Sequence, residues 1–125
     1  MVARVQNNGL ARITSLLIAA SWYLQWGTGS GAAASANVVT TTSTSEARVL
    51  ASAAQGTTTV TNDKMVLTGT ITAASTRAIT EVGAFDAAGS GSPPTGGNMD
   101  IYGDFSVINL GSGDTIAFTV NTTFS

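Results

Sequence analysis

Thr115-Ile116-Ala117-Phe118-Thr119-Val120-Asn121-Thr122-Thr123-Phe124 is the stretch on which the reading of the fold turns. Ile116, Phe118, Val120 and Phe124 share one parity, and Thr115, Thr119, Asn121 and Thr123 share the other. Successive side chains of a strand point to opposite faces, so this is a strand with one packed face and one wet face, as expected in an antiparallel sheet. Directly ahead of it, Gly111-Ser112-Gly113-Asp114 supplies residues that accept the positive φ angles of a hairpin turn. Met99 to Leu110 is the partner strand that this turn predicts.

Working outward, further strands are spaced by turn signals at intervals suited to sandwiches and barrels. Ala47 to Ala53 is one, and Thr57 to Thr61 is a β-branched run. Asn62-Asp63 is a turn before Met65, Leu67, Gly69 and Ile71, which alternate with Val66, Thr68 and Thr70. Arg77 to Phe85 is another strand, followed by a flexible excursion from Asp86 to Asn98 in which Pro93-Pro94 forbids helix. Trp22, Leu24 and Trp26 alternate with Tyr23 and Gln25, so an early strand carries a large aromatic payload. Gly27-Thr28-Gly29-Ser30-Gly31 breaks it, and Ala32 to Ser45 reads as a loop or a loosely paired edge strand. No lysine follows that glycine run and no periodic helix opens from it, which argues against a phosphate loop.

Only Asn8 to Ala20 has a helical period, with Leu10, Ile13, Leu17 and Ala20 on one stripe, Leu16 beside it, and Asn7 or Asn8 as the cap. A secretory signal is the rival reading, because Arg4 and Arg12 precede the apolar run Ile13 to Ala20. Gln6-Asn7-Asn8-Gly9 interrupts such a leader, and Trp22-Tyr23-Leu24-Gln25-Trp26 continues straight on. The stretch is also too interrupted to span a membrane. A leading helical segment, residues 1–21, and a mainly β domain, residues 22–125, follow from this division. Short strands with a single helix can bury their faces only as one antiparallel β-sandwich or barrel-like domain with the helix at an end or edge.

Composition narrows the chemistry. The 125 residues include no histidine and no cysteine, which removes disulfides, thiolates, imidazole bases and the usual zinc or haem ligands. Charged residues are 10% of the chain and the net charge is −2, far from the basic patch that nucleic-acid binding needs. With 43% hydrophobic residues the chain has ample material for a core. Its polar quota is filled by Thr, Ser, Gly and Asn, a surface suited to being covered by neighbours. No enzyme, cofactor, metal, nucleic acid or membrane is expected.

Seven carboxylates remain as candidates for acid or base work: Glu46, Asp63, Glu81, Asp86, Asp100, Asp104 and Asp114. Asp100 and Asp104 share a face by even spacing, but Asp100, Asp86 and Asp114 read as turn residues and Asp104 as a solvent-facing one. No loop has the spacing of a calcium site. Glu81 lies within the apolar run Ile79 to Phe85, on the face of Ile79, Gly83 and Phe85, and a buried carboxylate there needs a cationic or turn partner. Trp22, Tyr23 and Trp26 are candidate interface anchors, although core packing explains the tryptophans equally well. Arg48, Arg77 and the Thr-rich strand faces are the other expected contact residues.

Four blocks in order resemble a known family. Trp26-Gly27-Thr28-Gly29, Ile79-Thr80-Glu81-Val82-Gly83-Ala84-Phe85-Asp86-Ala87, Asp104-Phe105-Ser106-Val107-Ile108-Asn109-Leu110 and Gly113-Asp114-Thr115-Ile116-Ala117-Phe118-Thr119-Val120 are similar to the pattern of small structural proteins of tailed bacteriophages. That pattern has an early "GTG" turn, a central "TEVGLFDA"-like strand and a closing hairpin. The resemblance implies a virion component without catalysis, tail-fibre-like or a capsid decoration (cement) protein. Lacking a long shaft or collagen-like repeat, the chain suits a decoration subunit that bridges major capsid subunits as a homo-oligomer such as a trimer. A tail or tail-fibre accessory module, contacting the host surface or other tail proteins, is the alternative. Either role places it in the virion, on the capsid surface or the tail.

Overall fold

The computed structural model describes residues 1–30 and 44–125; the loop or edge strand expected over residues 32–45 lies mostly outside them. The elements run α1 (Asn7–Ile18), β1 (Tyr23–Gly27), β2 (Val49–Leu50), β3 (Ser52–Gly56), β4 (Lys64–Thr72), β5 (Arg77–Phe85), β6 (Met99–Leu110) and β7 (Thr115–Thr123). Two antiparallel sheets result, with orders β2-β1-β5-β6 and β3-β4-β7, and neither closes into a barrel. The fold is the mainly β, sandwich-like domain with one short helix that the alternation predicts.

The space between the sheets is filled by the parities read from the sequence. Trp22, Leu24 and Trp26, Met65, Leu67 and Ile71, and Phe118 all lie in one buried cluster. The Trp26 and Phe118 rings meet edge to face at 6.5 Å between centroids, a favoured aromatic geometry.

The hairpin expected from Met99 to Phe124 is not one. β6 pairs with β5, with Arg77 opposite Leu110, and β7 pairs with β4 over Lys64–Thr123 to Thr72–Thr115. The turn between them instead docks on residue 73: Ala73 N–H donates to the Asp114 carbonyl at 2.8 Å and Gly113 N–H donates to the Ala73 carbonyl at 2.8 Å. These bonds carry the chain across from one sheet to the other, and only Gly113, at φ 89°, uses a positive angle in that turn. Ala47 to Ala53 likewise divides at a corner. β2 belongs to one sheet and β3 to the other, and Ala51 N–H donates to the Trp22 carbonyl between them.

Thr57 to Thr61 forms a turn and not a strand, because the Asp63 carboxylate accepts the amides of Thr58, Thr59 and Val60 at 2.7–3.0 Å. An acidic side chain that gathers successive backbone donors competes with strand pairing. The Asn62-Asp63 turn itself is present, with Asn62 at φ 59°.

A register shift between Ile79 and Glu81 overturns the face assignment in β5. Ile79 joins Val82 and Ala84 in the inter-sheet core. Phe85 instead packs with Met99, Tyr23 and Tyr102 in a second cluster. A bulge advances the phase of a strand by one residue, so Glu81, Gly83 and Phe85 face away from Ile79. Leu24 to Gly27 of β1 and Glu81 to Phe85 of β5 are buried on both faces.

Helix α1 ends two residues earlier than expected and has Gln6 at its N-cap without a side-chain bond. Its stripe is shifted: Leu10 and Thr14 are the buried positions, while Ala20 and Leu16 are exposed. Thr14 Oγ1 donates to the Asn62 carbonyl at 2.7 Å and accepts from Gln55 Nε2 at 2.8 Å. This polar clasp, with Leu17 and Ile18 packed on the core, fastens the helix to the β3–β4 side of the sandwich.

Candidate interaction surface

The five residues expected at an interface do not form one surface patch. Trp22 and Trp26 are 5% and 1% exposed. Their indole N–H groups are spent internally, on the Leu17 carbonyl at 2.8 Å and on Thr44 Oγ1 at 2.7 Å. Tyr23 is half-buried beside Phe85. Apolar area of this size is best removed from water by the nearest complementary surface, which for both tryptophans is the opposite sheet.

Arg48 is 8% exposed and serves the chain itself. Its guanidinium carbon sits 3.7 Å from the centroid of the Phe85 ring. Nε donates to Gln25 Oε1 at 2.7 Å, and one terminal nitrogen donates to the carbonyls of Ala87 and Gly96 at 2.9 and 2.8 Å. Gln25 Nε2 in turn donates to the Pro94 carbonyl at 3.4 Å. The excursion 86–98, expected to be loose, is thereby pinned over the outer face of the four-stranded sheet. Gly89 permits this closeness. At φ 71°, a Cβ there would lie 2.8 Å from the Thr95 carbonyl oxygen and 2.9 Å from an Arg48 nitrogen. Burial pushes the Arg48 guanidinium below its ordinary value, and the Asp86 charge opposes that shift.

Arg77 is tied to Glu46, with Nε 3.0 Å from Oε1, and also donates to Ser45 Oγ at 2.9 Å. Burial alone would raise the Glu46 carboxyl. The Thr44 hydroxyl, the Ala74 amide, its own amide and Arg77 outweigh it and bring the pKa down to about 2.

Among the remaining carboxylates, Glu81 lies opposite Asp104 across β5 and β6, and Asp86 is near enough to Asp100 for its charge to act on it. Glu81, fully buried, accepts from the Tyr102 hydroxyl at 2.7 Å and from the Gly29 amide at 3.2 Å, so the early glycine turn is one of its partners. Asp63 and Asp86 are held below the ordinary value first by backbone N–H donors, those of Val60 and Asn98 respectively. Asp114 accepts the Gly111 amide at 2.7 Å inside its turn. Asp100 lies in β6 at a register shift instead of in a turn, and burial followed by the Asp86 charge raises its carboxyl. Among the described residues, no three carboxylates come together as metal ligands would.

What the fold leaves outward is the far side of the three-stranded sheet. Thr68 lies between Ser52 and Thr119, Thr70 opposite Ala117, and Thr72 opposite Thr115. All seven are exposed. They form a continuous, uncharged array of hydroxyl and methyl groups, with Lys64 at one end as the only charged residue among the described ones there. Alternation in the sequence marks these threonines as the wet face of their strands, but only the pairing of β4 with β7 assembles them into one surface. The exposed apolar side chains lie elsewhere: Met1, Val2, Val5 and Leu16 at the leading end, Leu50 on β2, and Val107 and Ile108 on the edge strand β6. Compared with family models, curated proteins and solved structures, the chain gives no match.

Proposed function

We propose that this chain is a bacteriophage virion structural protein, a capsid decoration (cement) subunit that bridges major capsid subunits. The observation that carries the reading is the exposed Thr68–Thr70–Thr72 array with its Thr115 and Thr119 neighbours. Such a face offers hydrogen-bonding and methyl contacts over a broad sheet without the cost of desolvating charges. Many weak contacts of this kind, repeated over a shell, add up through effective concentration. Binding to the assembled shell alone then stabilises it by mass action. The internal use of Arg48, Arg77 and Glu46 in holding the fold together fits an adhesive role better than a reactive cleft.

Densitometry of purified particles tests the proposal. A band of this chain in stoichiometry comparable to the major capsid protein is the expected result. A trace band would replace it with the tail or tail-fibre accessory role, and absence from particles would overturn both.

A further inference from the structure

The charges of the chain are divided by position. All seven acidic residues lie between Glu46 and Asp114, whereas Arg4 and Arg12 are the sole charged side chains within residues 1–45. Both arginines are exposed. Arg4 lies on the segment Met1–Gln6 that leads into α1, between Val2, which stands fully in solvent, and Val5, which is half exposed.

Beside the other end of α1 is a cavity of about 270 Å³, walled by Leu17, Trp22, Met65, Ile101 and Phe124, with Asp100 as its acidic residue. This is smaller than the roughly 300–1,000 Å³ of sites for drug-sized ligands, but suits a few aliphatic side chains. Burial, and after it the Asp86 charge, raises the Asp100 carboxyl, and a cation beside it would favour its charged form.

We propose that the Met1–Val5 segment of one copy places its apolar side chains in this cavity of a second copy, with Arg4 against Asp100. The complementarity is twofold: an exposed apolar segment meets an unfilled apolar wall, and a cation meets a carboxylate. A chain's own segment is poorly placed for its own cavity. Met1–Gln6 spans at most about 22 Å when extended, and Leu17 at the cavity lies about 15 Å along the helix from Asn7. Folding back along the helix would use about four or five of these six residues on the return path, leaving Val5 and the Arg4 backbone short of the cavity. Segment and cavity are different patches, so the contact is head-to-tail and generates a ring or a longer chain of subunits.

Sedimentation velocity on the purified full chain tests this apart from the decoration reading, because no particle is involved. Concentration-dependent self-association is expected. Val2→Ser combined with Val5→Ser should weaken it by more than about tenfold, as should either Arg4→Asp or Asp100→Arg alone. The doubly reversed chain, Arg4→Asp with Asp100→Arg, should recover association to within about threefold of the parent. Melting curves establish that each variant is folded. A chain that stays monomeric at the highest concentration reached, association indifferent to the valine changes, or a double reversal no stronger than the single ones would overturn the proposal.

Discussion

The Arg48 guanidinium lies flat enough on Phe85 to bring its carbon within 3.7 Å of the ring centroid, while its nitrogens bond Gln25 and the carbonyls of Ala87 and Gly96. One side chain thus joins the outer face of a sheet to the loop that covers it. Replacing Arg48 by Met keeps the stem but leaves two loop carbonyls and Gln25 without this donor. Charge-assisted hydrogen bonds and a stacked cation are lost together, so a destabilisation of about 2–4 kcal/mol is expected in urea unfolding. Limited proteolysis should then cut within 86–98 sooner than in the parent. Equal stability and equal proteolysis would show that the loop is held by other contacts.

Glu46 contributes to the acid response. Its folded pKa of about 2 lies below the ordinary 4.5, so its contribution is fully present above about pH 4.5 and is lost as pH falls toward 2. The shift corresponds to about 3 kcal/mol as an upper figure. Asp63 and Asp86, also lowered, act in the same sense, and Asp100, raised, acts in the opposite one. Glu46→Gln should therefore flatten the loss of stability between pH 4.5 and 2, measured by denaturant midpoints across that range. An unchanged pH slope would contradict the assignment.

The clasp at Thr14 predicts a helix-specific effect. Thr14→Val preserves shape but removes the hydroxyl that serves Asn62 and Gln55. A loss of about 1–3 kcal/mol is expected, with faster amide exchange in α1 than in β4 or β5. Uniform acceleration across all elements would mean that the helix does not open separately.

The threonine array separates stability from assembly. Thr70→Lys with Thr119→Lys alters exposed positions, so unfolding should move by no more than about 0.5 kcal/mol per site. If the face meets the capsid, the same variant should be depleted from particles. Retention at parental stoichiometry would remove the array from the contact.

The parities of Trp22, Leu24 and Trp26, of Met65, Leu67 and Ile71, and of Phe118 were legible because alternation along a strand depends only on neighbouring residues. The Asn62-Asp63 turn was legible for the same reason. Three errors share an opposite cause. The pairing of β6 with β5 instead of β7 depends on where a turn docks, the orientation of Glu81 on a bulge opposite another strand, and the order in 86–98 on an arginine some forty residues away. None of these leaves a local trace.

The mainly β character, the apolar parity of β1, β4 and β7 and the absence of His and Cys thus follow from the residues alone, since they are properties of composition and short-range geometry. Sheet membership, the burial of Arg48 and the gathering of threonines onto one face arose only when distant segments met. There, competition among partners for the same buried surface and the same backbone hydrogen bonds selected the arrangement.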